Sequence, residues 1–225
     1  ESVRLLKARL GDEIFIRGNC DQAAFSLAGM LRGPAEWMMD LLDPKNEEAA
    51  HVLLDIAARA ASGFIGRMAE AGADMVSNGD SPAGPDLISP AMYRRFAWPY
   101  ERRLAERAHD LGLPYALHIC GNTSLILEDM VETGADAFEL DQKTDARFAR
   151  SALFGRAVFI GNIDPSGILA LGTPDRVASA VRDLLSVFAG EPRFILNAGC
   201  AIPAETPSAN LRAMIAAARG FNPAG

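Results

Sequence analysis

Six short apolar runs, set between longer stretches of helical period, restrict this chain to a narrow set of folds. The runs are EIFIRGNC (13–20), ADMVSNGD (73–80), PYALHICG (114–121), ADAFELDQ (135–142), AVFIGNID (157–164) and RFILNAGC (193–200). Between them lie helical patterns at 46–72, 91–112, 123–134, 173–190 and 206–220, and the opening ESVRLLKARLG also reads as a helix. The second of these contains a proline able to kink it. Several open on Thr or Asn as N-caps and close on Gly. Buried strands alternating with amphipathic helices predict a parallel sheet with helical cover. A doubly wound sheet and a TIM (β/α)8-type barrel both fit. A closed barrel uses eight strands in roughly 250 residues. With about six, a barrel would be incomplete at its N-terminus, and the chain a fragment or a natural truncation. No GxGxxG follows a strand and no GxxxxGK[ST] occurs, so nucleotide-binding versions of the doubly wound fold lose their best support.

The chain has 225 residues, 49% of them hydrophobic. That suits one domain, expected to span 1–225. A net charge of -7 argues against a nucleic-acid surface. No run of about 18 or more apolar residues occurs, so no membrane span is expected. The N-terminus lacks the apolar core of a secretory signal. Three cysteines do not build a disulfide framework, and a reducing cytoplasm is the simplest compartment.

In βα folds, sites form at the C-terminal ends of strands. Those ends carry Asn19 and Cys20; Asp80; His118 and Cys120; Glu139 and Asp141; Asn162 and Asp164; and Cys200. Asp and Asn also serve as turn and helix caps, so each such position has a purely structural reading too. His118 and Cys120 are two apart on a strand and point to one face. Cys200 ends the last run and in a barrel can approach the same axis. One imidazole and two thiolates form a zinc-type donor set, and three protein ligands leave a position open, as catalytic zinc sites do. The plain alternative is a satisfied core histidine with two buried thiols. The placement of all three at strand ends beside Gly121 and Gly199 favours metal. Cys20 is expected in the pocket wall, or as a fourth ligand. His51 and His109 sit in helices among charges and are expected to be solvated.

HICGNTSLILEDMVETGADAFELD, GNIDPSGILALGTPDRV and FILNAGCAIPAETPSANLRAMI resemble the uroporphyrinogen decarboxylase superfamily. Within it they are similar to the cobamide-dependent (methylcobamide:coenzyme M type) methyltransferase branch. SPAGPDLISPAMYRRFAWPYERRL resembles the family's middle section. The resemblance runs from Asp12 to about residue 220. It implies a (β/α)8 barrel, of which this chain is the C-terminal portion, with Zn2+ on His118, Cys120 and Cys200. It also implies a methyl-corrinoid as co-substrate. None of the three histidines lies in the DxHxxG pattern of corrinoid-binding domains, so the corrinoid is expected on a separate partner protein docking at the barrel mouth.

The other party is a small-molecule methyl acceptor or donor: a thiol, or a methoxylated compound if transfer runs the other way. Asp80 and Asp141 are candidates to orient substrate or bond a zinc ligand. Asn122 and Asn162 are weaker candidates of the same kind. A decarboxylase reading wants several cations for a polycarboxylate, yet only Arg17 lies near the strand ends. A third reading is a non-catalytic homologue that binds metal or a corrinoid partner. An incomplete barrel leaves a sheet edge to cover, which suggests a possible homodimer.

Overall fold

The computed structural model describes residues 1–222, so positions 223–225 of the expected domain lie outside the described residues. All six expected strands form: β1 (Arg17–Gln22), β2 (Met75–Gly79), β3 (Tyr115–Ile119), β4 (Ala137–Leu140), β5 (Val158–Ile163) and β6 (Phe194–Ala198). They pair in parallel in the order β1-β2-β3-β4-β5-β6. This sequential order excludes the doubly wound alternative, whose strand order reverses at a switch point.

The sheet is strongly curled. Strands three apart in a flat sheet lie about 14 Å from one another, at about 4.8 Å per step. Here Arg17 of β1 and Asn197 of β6 both donate to the Glu139 carboxylate of β4, at 2.8 and 2.7 Å. The sheet therefore forms most of a barrel wall. Met75, Ala116, Ala137 and Ile160 fill the lower part of its concave face. Among the described residues, the outer edges of β1 and β6 pair with no further strand.

Helices cover the convex face. Helix α1 (Ser2–Leu10) precedes β1, while α2 (Ala24–Arg32), α3 (Pro34–Leu42) and α4 (Glu47–Glu70) lead to β2. The turn α5 (Pro90–Met92), a wide π segment (Tyr93–Ala97) and α6 (Trp98–Asp110) lead to β3. Helices α7 (Leu127–Glu132), α8 (Ala146–Leu153), α9 (Pro174–Val187) and α10 (Ser208–Arg219) complete the layer. In α4, Ala50, Leu54, Ala57, Ala58, Ala61 and Ile65 recur at three- and four-residue spacing and are buried. Glu47 and Glu48 in its first turn and Arg67 in its last complement the helix dipole. Among the described residues it is the one helix long and apolar enough by composition to cross a membrane, but its stripe packs against α2, α6 and β1.

Several expected boundaries move for local reasons. Strand β1 starts at Arg17, and Ile14 and Phe15 lie exposed before it. Its pairing with β2 is irregular between Asn19 and Gln22, where Asp21 adopts a φ of 60° and donates its N–H to the Asn19 side chain. The helix expected from 123 starts at Leu127, because Thr123 is held in a turn by Thr144. In the stretch 91–112, Pro99 has no N–H for the carbonyl four residues back, and the wide turn lies just before it. Helices α2, α3 and α8 were not expected. Gly33–Pro34 separates the first two, and Asp145 caps the third by accepting from Phe148 N. His51 is not simply solvated: its ring stacks on Phe96 and bonds the Tyr100 hydroxyl. His109 is half-exposed and paired with Asp136.

A buried acid lies between the sheet and the helices. Glu101 of α6 accepts the Tyr93 hydroxyl on Oε2, and its carboxyl also shares a side-chain hydrogen bond with Asp80. Burial first, and the nearby Asp80 carboxylate second, push Glu101 well above the usual carboxylate range. The native state thus holds this proton at pH values where the unfolded chain has released it, so its contribution to stability is lost as pH rises. Glu101→Gln removes that penalty. The variant should be more stable than the parent at pH 8, by a margin that shrinks towards pH 4. Urea titrations at both pH values check this, and an equal difference at the two would refute it.

Candidate metal centre

The concave face opens at the C-terminal strand ends into a cavity of about 590 Å³, lined among others by Arg17, Ser81, His118, Cys120, Glu139, Asn197 and Cys200. Alternation on β3 puts His118 and, just past the strand, Cys120 on this face. The His118 Nε2 and Cys120 Sγ atoms are 3.1 Å apart. Cys200, just past β6, brings its sulfur to 3.5 Å from Cys120 Sγ and 3.8 Å from Nε2. The curl of the sheet makes this meeting possible, since β3 and β6 are three strands apart.

The donor set fits zinc in spacing and in protonation. Zinc bonds of about 2.3 Å to sulfur and about 2.0 Å to nitrogen put tetrahedral ligand atoms about 3.5 to 3.8 Å apart. The three atoms lie within 4.8 Å of one another, with separations at or slightly inside that span. His118 Nδ1 lies 2.8 Å from the Glu139 main-chain carbonyl. A carbonyl only accepts, so Nδ1 carries the hydrogen and Nε2 presents its lone pair to the two sulfurs. All three residues are partly exposed, so the cluster has a side open to the cavity.

Two glycines let the chain approach here. Gly121, directly after Cys120, has a φ of 85°, where a Cβ would lie 2.5 Å from the Asp86 carboxylate. Gly199, directly before Cys200, runs so close to the loop after β4 that a Cβ would sit 2.5 Å from Gln142 N.

The other expected site residues fall around this cluster rather than in it. Asp141 accepts from Gly121 N and Lys143 N, both at 2.9 Å. Asn162 is buried and donates to the Asp141 and Thr144 carbonyls. Together they tie the loops after β3, β4 and β5. Asn122 is turned outward, accepting from Ser124 N and Oγ in a local turn.

Two expectations are corrected. Asp80 does not face the cavity: it is fully buried behind the sheet and accepts from Ser26 N and Phe25 N at the start of α2. Burial raises its carboxyl to about 6, against the pull of those bonds. Cys20 is neither wall nor ligand. On β1 the alternate residues Arg17, Asn19 and Asp21 face the cavity, so Cys20 points into the helix layer. Its thiol reaches the Gly18 carbonyl, and burial pushes it up to about 11.

The structure adds residues that the sequence left without a role. Glu139 is gripped by Arg17 and Asn197 in the cavity, and its main-chain carbonyl orients His118. Ser81 brings its hydroxyl 3.0 Å from Cys120 Sγ. Glu139 carries the usual mark of a polar residue near a C-terminal strand end, whereas Arg17 opens β1. Ser81 carries no spacing signal, because it lies in the turn after β2.

The uroporphyrinogen decarboxylase (URO-D) family model matches residues 1–221. The chain is 35% identical over 221 residues to the methylcobamide:CoM methyltransferase MtbA of Methanosarcina acetivorans, covering 98% of this chain and 62% of that protein. It is 33% identical over 219 residues to the uroporphyrinogen decarboxylase of Thermus thermophilus, covering 96% and 62%. A solved structure of a methyltransferase from Methanosarcina mazei superposes with a TM-score of 0.85 at 27% identity, over 96% of this chain and 61% of the other. The chain thus spans a little over three fifths of the length of the proteins it resembles. Identities of 35% and 33% barely separate the two activities, so the chemistry of the cavity has to discriminate between them.

Proposed function

This chain belongs to the uroporphyrinogen decarboxylase family, and from that premise we propose that it is the metal-bearing part of a zinc-dependent methyltransferase. It would move a methyl group between a corrinoid on a separate protein and a small thiol. The observation that carries the proposal is the cluster of His118 Nε2, Cys120 Sγ and Cys200 Sγ, all within 4.8 Å of one another.

These three atoms would hold the metal and leave its cavity side for substrate. Zinc bound there supplies Lewis acidity, favouring the thiolate over the thiol near neutral pH. The remaining work belongs to the protein. The Glu139 carbonyl holds the His118 ring and its tautomer. Asp141 and Asn162 hold the loops that carry Cys120. The cavity, at about 590 Å³, suits a small acceptor. In such a transfer the thiol would give up its proton to solvent, its sulfur would take the methyl group, and both electrons of the carbon–cobalt bond would remain with the corrinoid. With a methoxylated donor the same donor set would serve a transfer in the opposite direction.

Decarboxylation of a polycarboxylate suits the cavity poorly. Arg17 is the sole cationic side chain among its lining residues, and it is already paired with Glu139. The discriminating experiment is metal analysis joined to an activity assay. Purified protein should carry about one zinc per chain and demethylate methylcobalamin when a small thiol is supplied. Metal-free protein that remains inactive after zinc addition would refute the proposal. Conversion of uroporphyrinogen insensitive to a chelator would establish the decarboxylase reading instead. Zinc binding without demethylation by any thiol would favour a non-catalytic homologue.

A further inference from the structure

We propose that Ser81 is a positioning residue for the metal centre, donating its hydroxyl hydrogen to Cys120 Sγ and thereby making the two sulfurs unequal ligands. This rests on the metal reading above and extends it to a residue outside the donor set.

Ser81 opens the short turn after β2, and its hydroxyl lies 3.0 Å from Cys120 Sγ. The turn's N-cap is Asp80, and Ser81 is its first residue. A neutral thiol is a weak acceptor, whereas a thiolate accepts a charge-assisted bond roughly twice as strong as a neutral one. The contact therefore gains most when Cys120 is in its ligand form. Cys200 is placed differently: its hydrogen-bonding neighbours among the described residues are Cys120 and His118, the other two members of the cluster. Cys120 is thus the damped sulfur, and Cys200 keeps its full electron density for the metal.

The placement of Ser81 is built from below. Asp80 N donates to the His118 carbonyl at 2.7 Å, and the Asp80 carboxylate is anchored on α2 by Ser26 N at 2.6 Å. Ala83 N returns to the Asp80 carbonyl at 2.8 Å and Gly84 N to the Ser81 carbonyl at 3.2 Å. A Cβ on Gly84 would lie 2.9 Å from the Cys120 carbonyl, so the turn is pressed against the segment carrying the ligand. Buried Asp80 acts on the cluster through this turn.

Cobalt(II) tests the proposal, because its sulfur-to-metal charge-transfer bands report the electron density on each thiolate. Wild-type protein, Ser81→Ala and Ser81→Thr are loaded with Co2+ and then titrated with a chelator. Ser81→Ala should move the charge-transfer bands to lower energy and weaken metal retention about 10-fold, the scale of losing one outer hydrogen-bond partner. Ser81→Thr should restore both. An alanine variant that matches wild type in band energy and retention overturns the proposal while leaving the metal reading intact. Wild-type protein with no sulfur-to-cobalt band overturns the metal reading, and this proposal with it.

Discussion

Cys200→Ser should empty the metal site while leaving the fold in place. A serine hydroxyl stays protonated where a zinc-bound cysteine is a thiolate, so the substitution removes one of three anchors and one negative charge. Losing an outer partner of a ligand already costs 10- to 100-fold in metal affinity, so losing the ligand itself should cost well over ~100-fold. Methyl transfer should fall in proportion. Cys200 is only partly buried at the end of β6, so the variant's melting temperature in chelator should match the wild type's in chelator. Metal quantification after dialysis, with thermal melts run alongside, decides the matter. A serine variant holding about one zinc per chain at wild-type strength would show that the cluster is not the site.

Gly199→Ala should damage both the site and the fold, for a steric reason. The new Cβ would stand 2.5 Å from Gln142 N, 3.0 Å from Gln142 Oε1 and 3.1 Å from the Asp141 carbonyl carbon. Two of these are main-chain atoms of the loop after β4, and neither can rotate away. That loop also carries the Asp141 carboxylate, which accepts from Gly121 N directly after Cys120. The clash therefore pushes both cysteine-bearing segments apart. Overpacking of this kind costs about 1 to 3 kcal/mol. Denaturation in chelator should show that loss alone, and in zinc a larger one, because metal bound only by the native state adds to stability. Gly63→Ala is the control. Its Cβ meets nothing within 4 Å on helix α4, so it should be neutral or slightly stabilising. A Gly199→Ala variant as stable and as metal-retentive as Gly63→Ala would show that the approach of β6 to that loop is not needed.

Much of the architecture was legible because it is written locally. Every strand lay within or beside an apolar run of the right length, and the long helix at 46–72 is recovered as α4, Glu47–Glu70. The pairing of His118 with Cys120 followed from their two-residue spacing on a strand, a geometric certainty once the strand exists. Asp80 and Cys20 show where such reasoning stops. Both end apolar runs, as Cys120 and Cys200 do. Yet Cys20 falls on the other face of β1, and Asp80 turns back to cap α2. Run ends say where a strand stops, and they are silent on which face becomes concave.

By itself the sequence determined the sheet's elements and their parallel sense, because each rests on periodicities of two and 3.6 residues carried by neighbours in the chain, and it singled out His118, Cys120 and Cys200 as candidate ligands. The tertiary structure decided the curl. Only the curl brings Cys200 to Cys120, sets Arg17 and Asn197 on one Glu139 carboxylate, and seats Ser81 against the Cys120 sulfur. The physical reason is that curvature accumulates from strand to strand as twisted neighbours pack under their helices. It belongs to the whole sheet, and no short stretch of residues contains it.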